Sequence, residues 1–252
     1  MSADQVLALL APHALAVAAC AARLAPVAML CPLLGGQAAG QMVKLSVCLA
    51  LAIGVHAAGG IQAPALEGAW PVAALLFREA VFGMAVGLVV GLPFDAARIG
   101  GRFIDTFRGA SAEASLPFAG SREAATGDVL YQLVVCLAIS GGGASIAIAG
   151  VVRSFGAVRL GAFVPSESLA LQVAGLAGGA LATGLAVGAP VAGCSLAVDA
   201  VLALASRAAS PLVLSDLGPP LRILLGGAAL WLSLGVLCER LLAGIAASGA
   251  PW

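Results

Sequence analysis

The densest group of charged residues in this chain lies between Leu92 and Leu116. Five of them recur at intervals of three or four residues and would form one stripe of alternating sign on a helix: Asp95, Arg98, Arg102, Asp105 and Arg108. The chemistry that this spacing supports is ion pairing with a neighbouring surface. Apolar residues at Ile99, Phe103 and Phe107 share a different face of the same helix. Pro93 suits the start of this helix, because its missing N–H would have no partner in the first turn. The pattern predicts an amphipathic helix whose apolar face is covered by something other than lipid.

Further charged residues stand within or beside apolar stretches. Asp199 ends a long run, 168–198, that carries no formal charge. Arg207 would lie about 12 Å farther along one straight helix, so it cannot be the partner of Asp199. Asp199 is therefore either a proton relay or pore residue, or a polar clamp between helices. The cost of leaving it unpaired favours the clamp.

Arg78 and Glu79 present the same choice between function and clamp. Neighbouring residues on a helix do not face each other, so each of these two side chains needs a partner on another segment.

Residue patterns typical of catalysis are missing from the sequence. There is no nucleophile elbow, zinc-protease motif, phosphate-binding loop or dinucleotide fingerprint. The six cysteines are widely spaced and are interpreted as small buried hydrophobes. His13 and His56 each stand alone on an apolar segment, which is typical of hydrogen-bonded core residues rather than of ligands or bases. The sequence predicts no enzyme activity, no cofactor and no metal site.

Composition gives the class of protein. Hydrophobic residues make up 62% of the chain and charged residues 10%, whereas soluble domains carry about 25% charged residues. The mean hydropathy is +1.09, which is typical of an integral membrane protein. A formal net charge of zero argues against a nucleic-acid partner.

The apolar segments predict an all-α, polytopic membrane protein with roughly six helical segments, since a span needs about 20 apolar residues. Glycine and proline break several of these segments, which is tolerated only where protein or water satisfies the freed backbone groups. A charged amphipathic hairpin, 93–128, is predicted at the centre of a single domain, 1–252. Six apolar segments carry no formal charge: Gln5–Ala22, Leu24–Val43, Leu45–Leu66, Val129–Val152, Ser168–Val198 and Ile223–Cys238. A seventh apolar segment, Trp70–Leu92, contains the adjacent pair Arg78 and Glu79.

The segment Trp70–Leu92 would insert poorly as a lone helix. Its apolar side chains favour insertion by about 5 kcal/mol, and its two central charges oppose insertion by about 6 kcal/mol. Gly83, Gly87 and Gly91 form a stripe that allows another backbone to approach closely. The segment is therefore predicted to pack within a multi-helix assembly.

Several motifs, in order, resemble one family: the T component of the type III secretion export apparatus, the SctT counterpart of flagellar FliR. The resemblance spans roughly Pro32 to Leu242 and has departures, such as Ser206 where asparagine is usual. The matching runs are Pro32-Leu33-Leu34-Gly35-Gly36 with Lys44, Arg78-Glu79-Ala80, Leu92-Pro93-Phe94, Phe103-Ile104-Asp105 through Arg108-Gly109-Ala110-Ser111, Arg153-Ser154-Phe155, Asp199 with Ser206-Arg207-Ala208-Ala209 and Pro211, and Pro220-Leu221-Arg222.

The resemblance implies a non-enzymatic subunit of a protein-conducting gate in the bacterial inner membrane. Its partners would be R, S and U components, membrane lipids and the secreted polypeptides in transit. The Arg-Gly-Ala-Ser form favours the virulence injectisome over the flagellum. Three roles follow: a subunit-interface or pore-proximal surface (Asp95, Arg98, Arg102, Asp105, Arg108, Gly109), buried polar clamps (Arg78, Glu79, Asp199, Arg207) and helix packing (Gly83, Gly87, Gly91).

A small-solute secondary transporter is the alternative that the broken helices and Asp199 also fit. Such transporters usually show two related halves around a midplane site, and the sequence shows no such repeat.

Overall fold

The computed structural model describes residues 3–34, 40–64, 66, 68–108, 125–208 and 218–248. Within these ranges the chain is helical and contains no strand. The helices are α1 Ala3–Leu30, a 3-10 helix Pro32–Leu34, α2 Gln41–Gly59, α3 Ala69–Arg108, α4 Ala125–Ser140, α5 Gly143–Ala157, α6 Glu167–Ala208 and α7 Gly218–Ser248.

Five of these helices contain a stretch long and apolar enough to cross a membrane, and a sixth span results if α4 and α5 count as one broken span. The break between them falls at Gly141 and Gly142, and Gly142 adopts a left-handed conformation with φ +77°. The prediction of an all-α, polytopic membrane protein is confirmed. The candidate spans are Leu10–Leu30, Gln41–Gly59, Ala69–Arg108, Glu167–Arg207 and Pro220–Glu239.

The predicted boundaries near the N-terminus are wrong. Arg23 was placed between two apolar segments, but it lies inside α1, which continues to Leu30. The segment predicted as Leu24–Val43 is instead divided between α1 and α2, which begins at Gln41 after Gly40. The physical reason is that the charge of Arg23 is paired within the protein, so the helix has no need to end there.

Pro93 was predicted to start a separate amphipathic helix, but it lies inside α3. The missing N–H of proline leaves one carbonyl of the preceding turn unbonded, which membrane helices tolerate where neighbouring segments pack against them. Pro93 and Phe94 are both buried, so packing holds the chain helical there. The charged stripe therefore occupies the C-terminal part of one 40-residue helix. Residues 109–124, including Gly109, lie outside the described residues.

The chain divides into two compact units. The first comprises the described residues within Met1–Gly91, Ala138–Leu176 and Ala246–Trp252, and the second those within Leu92–Leu137 and Ala177–Ile245. Helices α3, α4, α6 and α7 contribute to both units. A single domain over 1–252 stays a prediction.

In the first unit, α3 approaches α1 through the predicted glycine stripe. A Cβ atom at Gly83 would overlap the carbonyl oxygen of Arg23 and lie 2.8 Å from its carbonyl carbon. A Cβ atom at Gly87 would lie 2.9 Å from the Cα atom of Val27. Gly91, the third member, is buried. Close backbone packing at this stripe brings the buried charges of α1 and α3 together.

Candidate functional site

A buried ion pair lies at the centre of the first unit. Arg23 of α1 and Glu79 of α3 are 1% and 0% exposed, and Arg23 Nε donates to Glu79 Oε2 over 2.6 Å. The second carboxylate oxygen, Oε1, accepts from the backbone N–H of Gly161 at 2.8 Å. Both oxygens of Glu79 are therefore hydrogen-bonded, as a buried carboxylate requires.

The guanidinium of Arg23 also binds the C-terminal end of α5. Its Nη1 donates to the carbonyl oxygens of Ser154 and Val158 at 3.2 and 3.0 Å. Helices end with unpaired carbonyls, and a cation placed there satisfies them and interacts well with the helix dipole. A single side chain of α1 thus holds α3 and α5.

Two aromatic rings enclose the same guanidinium. The Cζ atom of Arg23 lies 4.7 Å from the ring centroid of Phe82 and 4.4 Å from that of Phe155. Cation–π attraction is strongest where the cation has lost its water, which is the case here. The remaining nitrogen, Nη2, has no hydrogen-bond partner among the described residues. The Arg23–Glu79 pair therefore joins α1, α3 and α5 through an ion pair, hydrogen bonds and cation–π contacts.

The stripe on the second half of α3 makes ion pairs and hydrogen bonds with α4, within the second unit. Asp105, 5% exposed, accepts hydrogen bonds from the backbone N–H of Thr126 at 2.9 Å and from the hydroxyl of that residue. Arg98 Nε lies 3.5 Å from Asp128 Oδ1, and the guanidinium lies 4.1 Å from the ring centroid of Tyr131. The alternating charges fix α4 against α3.

We expect Asp105→Ala to loosen the first turn of α4. The carboxylate satisfies an N–H that has no partner inside the helix, and its charge suits a helix N-terminus, so its loss costs about 1–2 kcal/mol. Hydrogen exchange at the Thr126 amide should become faster. Thr106→Ala, which removes an exposed hydroxyl bonded only within α3, is the matched control. Unchanged exchange at Thr126 in Asp105→Ala would contradict the assignment.

The other members of the stripe are more accessible. Asp95 and Arg102 are exposed, and the half-buried Arg108 donates from Nη2 to the carbonyl oxygen of Ile223 at 3.4 Å. A Cβ atom at Gly226 would lie 2.9 Å from the Cγ atom of Arg108, so α7 passes close to this side chain.

The apolar face on the C-terminal part of α3 packs on α6. A Cβ atom at Gly184 would lie 3.2 Å from the Cβ atom of Ile99, and one at Gly188 would lie 3.4 Å from the Cβ atom of Phe103. The rings of Phe103 and Phe107 meet edge to face, with centroids 4.8 Å apart. The cover predicted for this face is supplied in part by the same chain.

Asp199 has a partner on another helix. Arg222 Nε of α7 donates to Asp199 Oδ1 over 2.6 Å, and the two side chains are 36% and 38% exposed. Arg207 is exposed on the last turn of α6. Asp199 is thus paired between α6 and α7, and its role as a polar clamp stays a prediction.

The sequence of residues 14–247 matches the family described as bacterial export proteins, family 1. The chain belongs to this family. The match covers Arg23, Glu79, the stripe and the Asp199–Arg222 pair, and it confirms the resemblance to FliR and SctT. No curated protein matches the chain. This export-family protein is thus a multi-pass membrane component of a type III or flagellar export apparatus, and its family consists of structural components that associate with other parts of that apparatus.

Sequence reasoning missed one half of the central clamp in this export-family protein. Glu79 was identified, whereas its partner Arg23 was interpreted as a boundary between segments. The available signal was a lone arginine in an apolar run with no glycine or proline beside it. Arg78, predicted as a clamp with Glu79, is exposed in the single chain, as is Arg207.

The described part of this export-family chain contains no group of three or more histidine, cysteine or acidic residues placed to hold a metal ion. Its cysteines are free thiols. Burial raises the pKa of the Cys31 thiol above its usual value, so the unreactive protonated form is favoured there.

Proposed function

We propose that this export-family chain is the T subunit of an injectisome export gate in the bacterial inner membrane. It assembles with R, S and U components and forms part of the channel through which secreted polypeptides pass. The observation that carries the proposal is the family match over 14–247. The Arg108-Gly109-Ala110-Ser111 run supports the injectisome class, because it resembles the injectisome form of the family signature.

Helix surfaces that the chain itself does not cover support assembly with other subunits. Only 17% of the span Gln41–Gly59 and 11% of the span Pro220–Glu239 are buried inside the structure. On α6, a Cβ atom at Gly175, Gly178 or Gly179 would meet nothing within 4 Å. Glycines on an outer helix surface allow a neighbouring helix to pack closely, and lipid has no need of them.

Exposed charged side chains offer further contacts to that assembly. Asp95 and Arg102 are the exposed members of the stripe. Arg78 is exposed beside the buried Glu79, and Arg207 is exposed in the last turn of α6. We assign the stripe to a subunit-interface or pore-proximal surface, and Arg78 and Arg207 to clamps completed by neighbouring subunits.

Co-purification tests the proposal. An affinity-tagged chain extracted from its native membrane is expected to bring R-like and S-like proteins with it, and deleting the gene is expected to abolish export of effectors. A chain that is monodisperse and well folded alone, with normal export after deletion, would refute the proposal. Uptake of a small solute by the purified protein in liposomes would favour a transporter instead.

A bulky residue on the open face of α6 gives a sharper test. At Gly178 an added Cβ atom meets nothing within 4 Å among the described residues, so the chain carrying Gly178→Leu should still accumulate in the membrane. Recovery of the co-purified subunits should fall. Gly150→Leu on α5, where a Cβ atom is equally unobstructed, is the matched control. Equal recovery of the subunits with both variants would show that this face of α6 is not part of the subunit interface.

A further inference from the structure

The two histidines of the chain, far apart in sequence, meet in the first unit. His13 Nδ1 of α1 lies 3.1 Å from His56 Nε2 of α2, and the ring planes meet at 67° with centroids 5.3 Å apart. His13 is exposed and His56 is half-buried. His13 lies near the start of the span Leu10–Leu30 and His56 near the end of the span Gln41–Gly59, so both lie within reach of water.

The second nitrogen of His56 is already occupied. His56 Nδ1 lies 2.8 Å from the carbonyl oxygen of Ile61. A carbonyl only accepts, so Nδ1 carries the proton and Nε2 presents a lone pair toward His13. Metal-binding histidines almost always donate their other N–H to a carbonyl or carboxylate, which fixes the tautomer and the ring orientation. His56 therefore has the orientation of a metal ligand.

The spacing of the two facing nitrogens also fits a metal ion. Two imidazole nitrogens bound to one tetrahedral Zn²⁺ at about 2.0–2.1 Å lie roughly 3.3 Å from each other. The observed separation of 3.1 Å needs an adjustment of a few tenths of an ångström. When a metal binds, His13 releases its Nδ1 proton to solvent and takes up a proton at the exposed Nε2.

We propose that His13 and His56 form a two-histidine site for a divalent transition metal, Zn²⁺ or Cu²⁺, that joins α1 to α2. Imidazole nitrogens suit both ions. The described residues offer no third histidine, cysteine or carboxylate at this place, so water completes the coordination. The argument for the site uses only the positions of His13 and His56, so it does not depend on the proposed export function.

Metal titration of the full-length chain tests the site. The protein is extracted in detergent with any co-purifying subunits retained, and it carries a tag without histidine. The Cu²⁺ electron paramagnetic resonance spectrum should show coupling to two imidazole nitrogens, and His13→Ala and His56→Ala should each remove one of the two couplings. We expect about one equivalent of Zn²⁺ per chain, with the affinity at least tenfold lower in His13→Ala and in His56→Ala.

Ser46→Ala, which removes an exposed hydroxyl of α2, is the matched control and should bind like the wild type. A measurement on the wild type alone covers the case in which a histidine variant fails to fold: Zn²⁺ should protect both imidazoles from diethylpyrocarbonate. Coupling to a single nitrogen, undiminished Zn²⁺ binding in the variants, or modification of both rings at an unchanged rate would overturn the proposal.

Discussion

Glu79→Ala is expected to lower the free energy of unfolding by about 3–5 kcal/mol, because it leaves the guanidinium of Arg23 charged, buried and without its carboxylate. The first unit should then fail to hold α1, α3 and α5 together. The variant chain should accumulate to a small fraction of the wild-type level in membranes, and the detergent-extracted protein should unfold at a lower temperature. Arg23→Ala is expected to lower the free energy of unfolding by a similar amount, since it leaves the buried carboxylate of Glu79 without its counter-ion.

The double variant Arg23→Met/Glu79→Leu separates a clamp from any other role. Removing both charges together leaves no buried ion, so stability should recover most of the loss seen in either single variant. Arg159→Ala is the matched control, because this arginine of the first unit is exposed and its removal should leave accumulation unchanged. A double variant that accumulates no better than Glu79→Ala would contradict the interpretation of the pair as an electrostatic clamp.

Gly83→Ala is expected to force α3 away from α1. The added methyl group would overlap the backbone of Arg23, and backbone moves only as part of its helix. Over-packing of this kind typically costs about 1–3 kcal/mol. The displacement also lengthens the 2.6 Å contact between Arg23 and Glu79, so the loss should reach the upper end of that range.

The measurement is the thermal midpoint of the extracted protein together with its abundance in membranes. Gly150→Ala on α5 is the control, since a Cβ atom there meets nothing within 4 Å and alanine favours helix over glycine. It should be neutral or slightly stabilising. If Gly83→Ala is as stable as Gly150→Ala, then the close approach of α1 and α3 is not required for the fold.

The sequence was informative wherever a property depended on composition or on helical spacing. A long apolar run has few alternatives to a membrane helix, so the number of spans and the all-α class could be predicted. The three-to-four spacing of Asp105 and its neighbours likewise indicated a charged face on one helix. These features depend on residues close together in the chain, which is why they are readable without the structure.

Features that depend on distant residues could not be read in the same way. The partner of Glu79 lies 56 residues away, and no local pattern connects it to Arg23. Pro93 looked like a helix start because its effect was judged without the buried surroundings that keep α3 continuous. A cover was predicted for the face of Phe103, but the covering segment could not be identified, because Gly188 of α6 follows much later in the chain.

The distance between Arg23 and Glu79 along the chain also bears on how the protein enters its membrane. When α1 leaves the ribosome, its central arginine has no counter-ion, and placing it in the bilayer alone opposes insertion by about 2.5–3.5 kcal/mol. The carboxylate arrives only after α2 and the first part of α3 have been synthesised. The first helix should therefore remain at the insertion machinery, or at the bilayer surface, until the third is made, so that the two enter together as a neutral pair.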